Sequence, residues 1–102
     1  MSVRIVEGVF DPWAILADHQ RGIAPGSYGA TASFVGTMRD FNEGDNVRTM
    51  TLEHYPGMTE KHLAAIIDEA RGRWGLVDGL IVHRVGPIHP GDPIVLTAVW
   101  SA

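Results

Sequence analysis

Residues 80–100 read LIVHRVGPIHPGDPIVLTAVW, and this stretch decides the fold. Residues 80–85 and 93–100 are rich in β-branched and aromatic side chains, and GPIHPGD (86–92) between them is turn chemistry. Two strands joined by so short a connection lie side by side and run antiparallel. The stretch before them is different. Over 56–74, Leu63, Ile66, Ile67, Ala70 and Trp74 recur as one apolar stripe at helical spacing. Glu69 and Arg73 form an i,i+4 pair on the wet side, and Gly75 can end the helix.

Further upstream, 47–55 reads as a strand, as does GATASFVGT (29–37). In the latter, Ala30, Ala32 and Phe34 share one face, and Thr31, Ser33 and Val35 the other. Between these strands MRDFNEGDN (38–46) has no apolar period, so a mobile loop of about nine residues is expected. Residues 21–28 hold two Gly and a Pro and read as a loop. Before it, Asp11 and Pro12 supply an N-cap and a proline in the first helical position. They start a helix over 12–20, with Trp13, Leu16 and Ala17 on one face. Val3, Ile5, Val9 and Phe10 mark a first strand ending near Gly8. The predicted order is β-α-β-β-α-β-β. Its mix of hairpin and helical connections indicates an α+β domain: a mixed or antiparallel sheet with two helices packed on it, not a doubly wound parallel sheet.

The chain has 102 residues, which suits a single domain over 1–102. It has no cysteine, so a thiolate nucleophile, a Cys-ligated zinc and a disulfide framework are excluded. The net charge is −4 and the eight basic residues form no run, which argues against a nucleic-acid surface or a polybasic membrane anchor. MSVRIVEG at the N-terminus lacks a signal-peptide core, and no apolar run approaches the ~20 residues of a spanning helix. A cytoplasmic protein is expected. Seven of the eight basic residues are Arg, and Lys61 is the only lysine.

The strongest chemical candidate is FVGTMR (34–39). Gly36 allows close backbone approach where the strand leaves the sheet. Thr37 and Met38 offer backbone donors, and the Arg39 guanidinium can grip a phosphate or carboxylate with two parallel hydrogen bonds. The competing reading pairs Arg39 with Asp40, Glu43 or Asp45. Five histidines are present, but His54, His62, His83 and His89 show no zinc-ligand spacing, and no metal is expected. His83, inside a strand, reads as a hydrogen-bonded structural residue. Its neighbour Arg84 needs a carboxylate partner if buried. Glu53 is a candidate, with substrate contact as the alternative. Glu53 and Asp92 are a possible carboxylate pair that nothing in the sequence brings together. No phosphate-binding glycine motif occurs, and neither Ser33 nor Ser101 sits in a nucleophile elbow.

SFVGTMRDFNEG (33–44), LEHYPGMTEKHL (52–63), EARGRWGL (69–76), IVHRVGPIHPGD (81–92) and IVLTAVWSA (94–102) occur in that order. Within them lie F-V-G-x-x-R, E-x-Y-P-x-M and H-R-x-G. On these motifs the sequence resembles the MoaE-type family, the large, catalytic subunit of molybdopterin synthase. The resemblance implies an α/β-hammerhead fold and a homodimer within a heterotetramer. The partner would be a ubiquitin-like small subunit whose C-terminal Gly-Gly tail carries a thiocarboxylate. Sulfur then passes to cyclic pyranopterin monophosphate, and two transfers create the molybdopterin dithiolene. No resident cofactor is implied. By matching motif, Thr37, Met38 and Arg39 would contact the pterin, with Arg39 on its phosphate and Phe34 lining the same pocket.

Family members continue past V-x-S-A with a His-Arg pair, then a helix and tail carrying two active-site lysines. This sequence stops at Ala102, and Lys61 matches neither lysine. The resemblance therefore implies an enzyme cut short or completed by another chain. The alternative is an inactive binding module that keeps the fold and the partner dock. Without a covering C-terminal helix, Trp100 and Val99 are expected to form an exposed apolar patch.

Overall fold

The computed structural model describes residues 1–42, 45–46, 50–53 and 57–102. The chain runs β1 (Ser2–Val6), α1 (Pro12–Arg21), β2 (Ala30–Thr37), β3 (Phe41–Asn42), β4 (Asp45–Asn46), β5 (Met50–Leu52), α2 (Met58–Trp74), β6 (Asp78–Arg84), β7 (Gly86–Ile88) and β8 (Pro93–Ser101). The main sheet is ordered β1-β6-β8-β2. β1 runs parallel to β6, while β6–β8 and β8–β2 are antiparallel, so the sheet is mixed. The α+β class and both helices stand as expected.

Three additions lengthen the expected order. β3 and β4 pair inside the stretch read as a loop. β7 lies inside the turn segment 86–92, where Met50, Thr51 and Leu52 of β5 pair with Ile88, Pro87 and Gly86. Strands this short carry no alternation; they exist because a partner from elsewhere in the chain completes their hydrogen bonds. Of the strand expected over 47–55, the part found is β5; residues 47–49, 54 and 55 lie outside the described residues.

One face of the sheet holds the core. Leu80, Val82, Leu96, Ala98 and Trp100 are buried there with Phe10, and Ile15 and Leu16 of α1 pack against them. The Asp11 carboxylate accepts from the Trp13 and Ala14 amides at 3.0 and 3.2 Å, capping α1 as its sequence indicates. The buried face of α1 is not the expected one. Trp13 is 61% exposed and Ala17 is exposed, whereas Pro12, Ile15, Leu16 and His19 turn inward. Both sets satisfy helical spacing, and only packing on the sheet selects between them.

Trp100 is fully buried, against the exposure expected of it. Its indole Nε1 donates to Gln20 Oε1 at 3.0 Å, and its ring lies 5.2 Å from that of His19. Residues from α1 thus cover the tryptophan. Val99, one residue earlier, points to the other face and is half-buried.

α2 covers part of that second face, packing on β1 and β6. Ile67 is buried and Leu63 and Ala70 are half-buried, but Ile66 and Trp74, expected in the same stripe, are 46% and 65% exposed. The Arg73 guanidinium sits 4.8 Å from the Trp74 ring centroid and 3.8 Å from Glu69. Gly75 ends the helix in the left-handed region, φ 60°, as its residue type indicates. Ala30, Ala32 and Phe34 of β2 are exposed. Thr31 and Ser33 are exposed as well, so the two faces of β2 differ in burial only from Phe34 to Val35. No helix among the described residues is long and apolar enough to cross a membrane.

Asp78 ties three elements together. Its carboxylate meets the Met1 amine at 2.7 Å and accepts from His19 Nε2 at 2.8 Å and the Gly79 amide at 2.8 Å. Burial pushes its pKa up, but these donors outweigh burial and hold it below 3.8. A carboxylate depressed in the folded state adds stability above its unfolded pKa, and that stability is lost as pH falls through the folded one. Asp78→Asn should therefore lower the denaturation midpoint at pH 7, with the gap closing below about pH 4. Midpoints measured from pH 2 to 7 check this; a gap independent of pH refutes it.

Candidate functional site

The site is built where β2 leaves the sheet. Gly36 pairs with Val95 and Thr37 with Pro93, so the register slips by a residue between them. A Cβ on Gly36 would lie 2.9 Å from Val95 Cγ1, which explains the glycine. The chain then reaches Met38, whose side chain is buried. The Met38 amide donates to the Asp92 carbonyl at 2.9 Å, and the Met38 carbonyl accepts from the Gly91 amide at 2.8 Å. The expected donor at Met38 is thus already used within the fold.

The 89–92 turn that receives Met38 is itself held. Asp92 Oδ2 accepts from the Arg84 guanidinium at 3.0 Å and from the His89 amide at 3.1 Å. Arg84 also donates to the Pro87 carbonyl at 2.8 Å. The His89 amide holds the Asp92 carboxyl below the ordinary carboxylate range; partial burial opposes it and Arg84 assists it. The buried partner of Arg84 is therefore Asp92, not Glu53. The reason is topological. The β6-to-β8 return brings Asp92 back to the end of β6, whereas Glu53 follows β5 and is exposed. His83 Nδ1 donates to the Arg84 carbonyl at 2.7 Å, a structural role as its strand position implies.

Thr37 lines an open cleft of about 510 Å³ together with Phe10, Trp13, Val35, Gly91 and Pro93. Arg39 is exposed two residues beyond Thr37. Phe34 is 64% exposed and opposite Thr97 in register, on the face away from Val35 and the core. The structure therefore brings Thr37, Met38 and Arg39 together at one strand exit and places Phe34 on the other side of the sheet. Phe10, Trp13, Gly91 and Asp92 adjoin the site without having been singled out for it. Gly91 and Asp92 carried a signal in the turn PGDP, but nothing local relates that turn to β2. Among the described residues no cluster of three metal-ligating side chains occurs; His54 lies outside them.

A family model described as MoaE protein matches residues 7–102. A molybdopterin synthase catalytic subunit from Ralstonia nicotianae is 52% identical over 100 residues, covering 98% of this chain and 56% of that protein. A solved structure of molybdopterin cofactor biosynthesis protein E from Burkholderia multivorans superposes with a TM-score of 0.81 at 45% identity, covering 99% of this chain and 64% of that one. One chain of a complex of subunits 1 and 2 of molybdopterin-converting factor from Helicobacter pylori shares the fold, with a TM-score of 0.78 at 21% identity, covering 97% of this chain and 64% of that one. The chain thus spans between about half and two thirds of these relatives' lengths.

Proposed function

Since the chain belongs to the MoaE protein family, we propose that it serves molybdenum cofactor biosynthesis in the cytoplasm as the sheet-bearing part of a molybdopterin synthase catalytic subunit. Its substrate is cyclic pyranopterin monophosphate. Its partner is the ubiquitin-like small subunit, which delivers sulfur on a C-terminal thiocarboxylate, and the assembly is a heterotetramer around a homodimer of this subunit. No resident cofactor is needed, because the sulfur arrives on the partner's tail.

The observation that carries this reading is Arg39, exposed at a strand exit whose preceding residue is held by two backbone hydrogen bonds. A guanidinium fork on a fixed backbone suits a phosphate, since both oxygens are met without reorganising the chain. Thr37 lines the adjoining cleft, and its hydroxyl can orient the bound pterin. The open cleft leaves room for an extended peptide tail to approach the same strand exit.

The test mixes the chain with thiocarboxylated small subunit and cyclic pyranopterin monophosphate. Expected is co-elution of the two proteins on a sizing column; formation of the dithiolene product would show in addition that this sequence alone supports turnover, although Lys61 is its only lysine. Co-elution without turnover would favour a binding module with the same dock. Failure of both overturns the proposal.

A further inference from the structure

We propose that Arg84 and Asp92 are positioning residues for pterin phosphate binding, acting on Arg39 through the backbone of Met38. The inference rests on the reading of Arg39 just given and assigns a use to a buried ion pair that reading leaves unexplained. The Arg84 side chain is 7% exposed and that of Asp92 22%. Desolvating such a pair costs free energy that a well-packed apolar pair would not. Stability alone is therefore a weak reason to keep it, and its geometry suggests another.

Arg84 spans the return from β6 to β8. One guanidinium nitrogen holds Pro87 near the start of the return, and another holds Asp92 at its end. The second carboxylate contact, from the His89 amide, closes the turn on itself. Gly91 takes φ +89°, a conformation that side chains other than glycine rarely adopt. In that turn the Gly91 amide and the Asp92 carbonyl both reach Met38, one bonding its carbonyl and the other its amide. The buried Met38 side chain anchors the same residue from within. Arg39 is the next residue, its Cα about 3.8 Å further along the chain. Its point of departure is therefore set by the turn, and the turn is set by the ion pair.

The test is a double-mutant cycle in the complex with the small subunit, reading the dissociation constant of cyclic pyranopterin monophosphate. Asp92→Asn is close in shape and removes the charge. It should weaken binding about tenfold beside Arg39, yet by less than about twofold in an Arg39→Ala background. A purely structural role would weaken both backgrounds equally, and that result overturns the proposal. So does an unchanged constant for Asp92→Asn beside Arg39. If Asp92→Asn does not fold, Arg84→Lys retains the charge but lacks the planar fork that reaches both Pro87 and Asp92. It should show the same dependence on Arg39, and equal weakening in both backgrounds again refutes the idea. If Arg39→Ala alone leaves the constant unchanged, the reading of Arg39 falls and this inference with it. If Arg39→Ala weakens binding while Asp92→Asn does not, this inference falls alone.

Discussion

Trp100→Ala is expected to lower the unfolding free energy by about 3–5 kcal/mol, the range for deleting a large aromatic from a packed core. The side chain is fully buried and sits among Leu80, Val82, Leu96 and Ala98, with α1 laid over it. Deletion removes the contact with the His19 ring and leaves Gln20 Oε1 without its indole donor. Gln20 also accepts from Thr31 at 3.3 Å, so its oxygen keeps one donor and part of the cost is softened. Domains of this size are stable by roughly 5–15 kcal/mol, so the loss is a large share of the total. At about 4–8 °C per kcal/mol, the melting temperature should fall by more than about 12 °C. Trp74→Ala is the control, since that ring is 65% exposed and lies against the neighbouring Arg73 guanidinium. Its melting temperature should stay within a few degrees of the parent. Equal shifts for the two tryptophans would contradict the core described above.

Arg39→Ala is expected to weaken binding of cyclic pyranopterin monophosphate about ten- to a hundredfold, the loss of charge-assisted hydrogen bonds worth about 1.5–3 kcal/mol. Arg39→Lys should fall between, because an ammonium keeps the charge and loses the bidentate fork. The side chain is exposed, so the parent's affinity should decline with added salt. That salt dependence should be shallower in Arg39→Ala. Titration calorimetry of the three proteins at two ionic strengths reads all of this. A dissociation constant within twofold of the parent would remove Arg39 from the site.

The two helices, their capping by Asp11 and their termination at Gly75 were legible, because caps and stops are local chemistry. Periodicity did less well for faces. Pro12, Ile15 and Leu16 compete with Trp13, Leu16 and Ala17 for the inside of α1, and helical spacing allows both. In β2 the sequence sorts residues onto two faces without saying which is covered; residues 30–34 are all exposed, and Val35 packs on the core. Trp100 shows the same limit: its burial depends on Gln20 and His19, some eighty residues away in sequence.

The candidate site divides along the same line. F-V-G-x-x-R and H-R-x-G could be read as motifs, and with them the family and the residues Thr37, Met38 and Arg39. That Arg84 is paired internally followed from burying a cation in a strand. That its partner is Asp92, and that the Asp92 turn clamps Met38, did not follow. By itself the sequence determined the two helices, the longer strands and their order, the family and the residue types at the strand exit, because each depends on local chemistry or motif spacing. Only the tertiary structure decided which faces are buried, which carboxylate meets Arg84 and on which side of the sheet Phe34 and Thr37 lie. Those are contacts between segments far apart in the chain, and no local pattern records which of several compatible surfaces will meet.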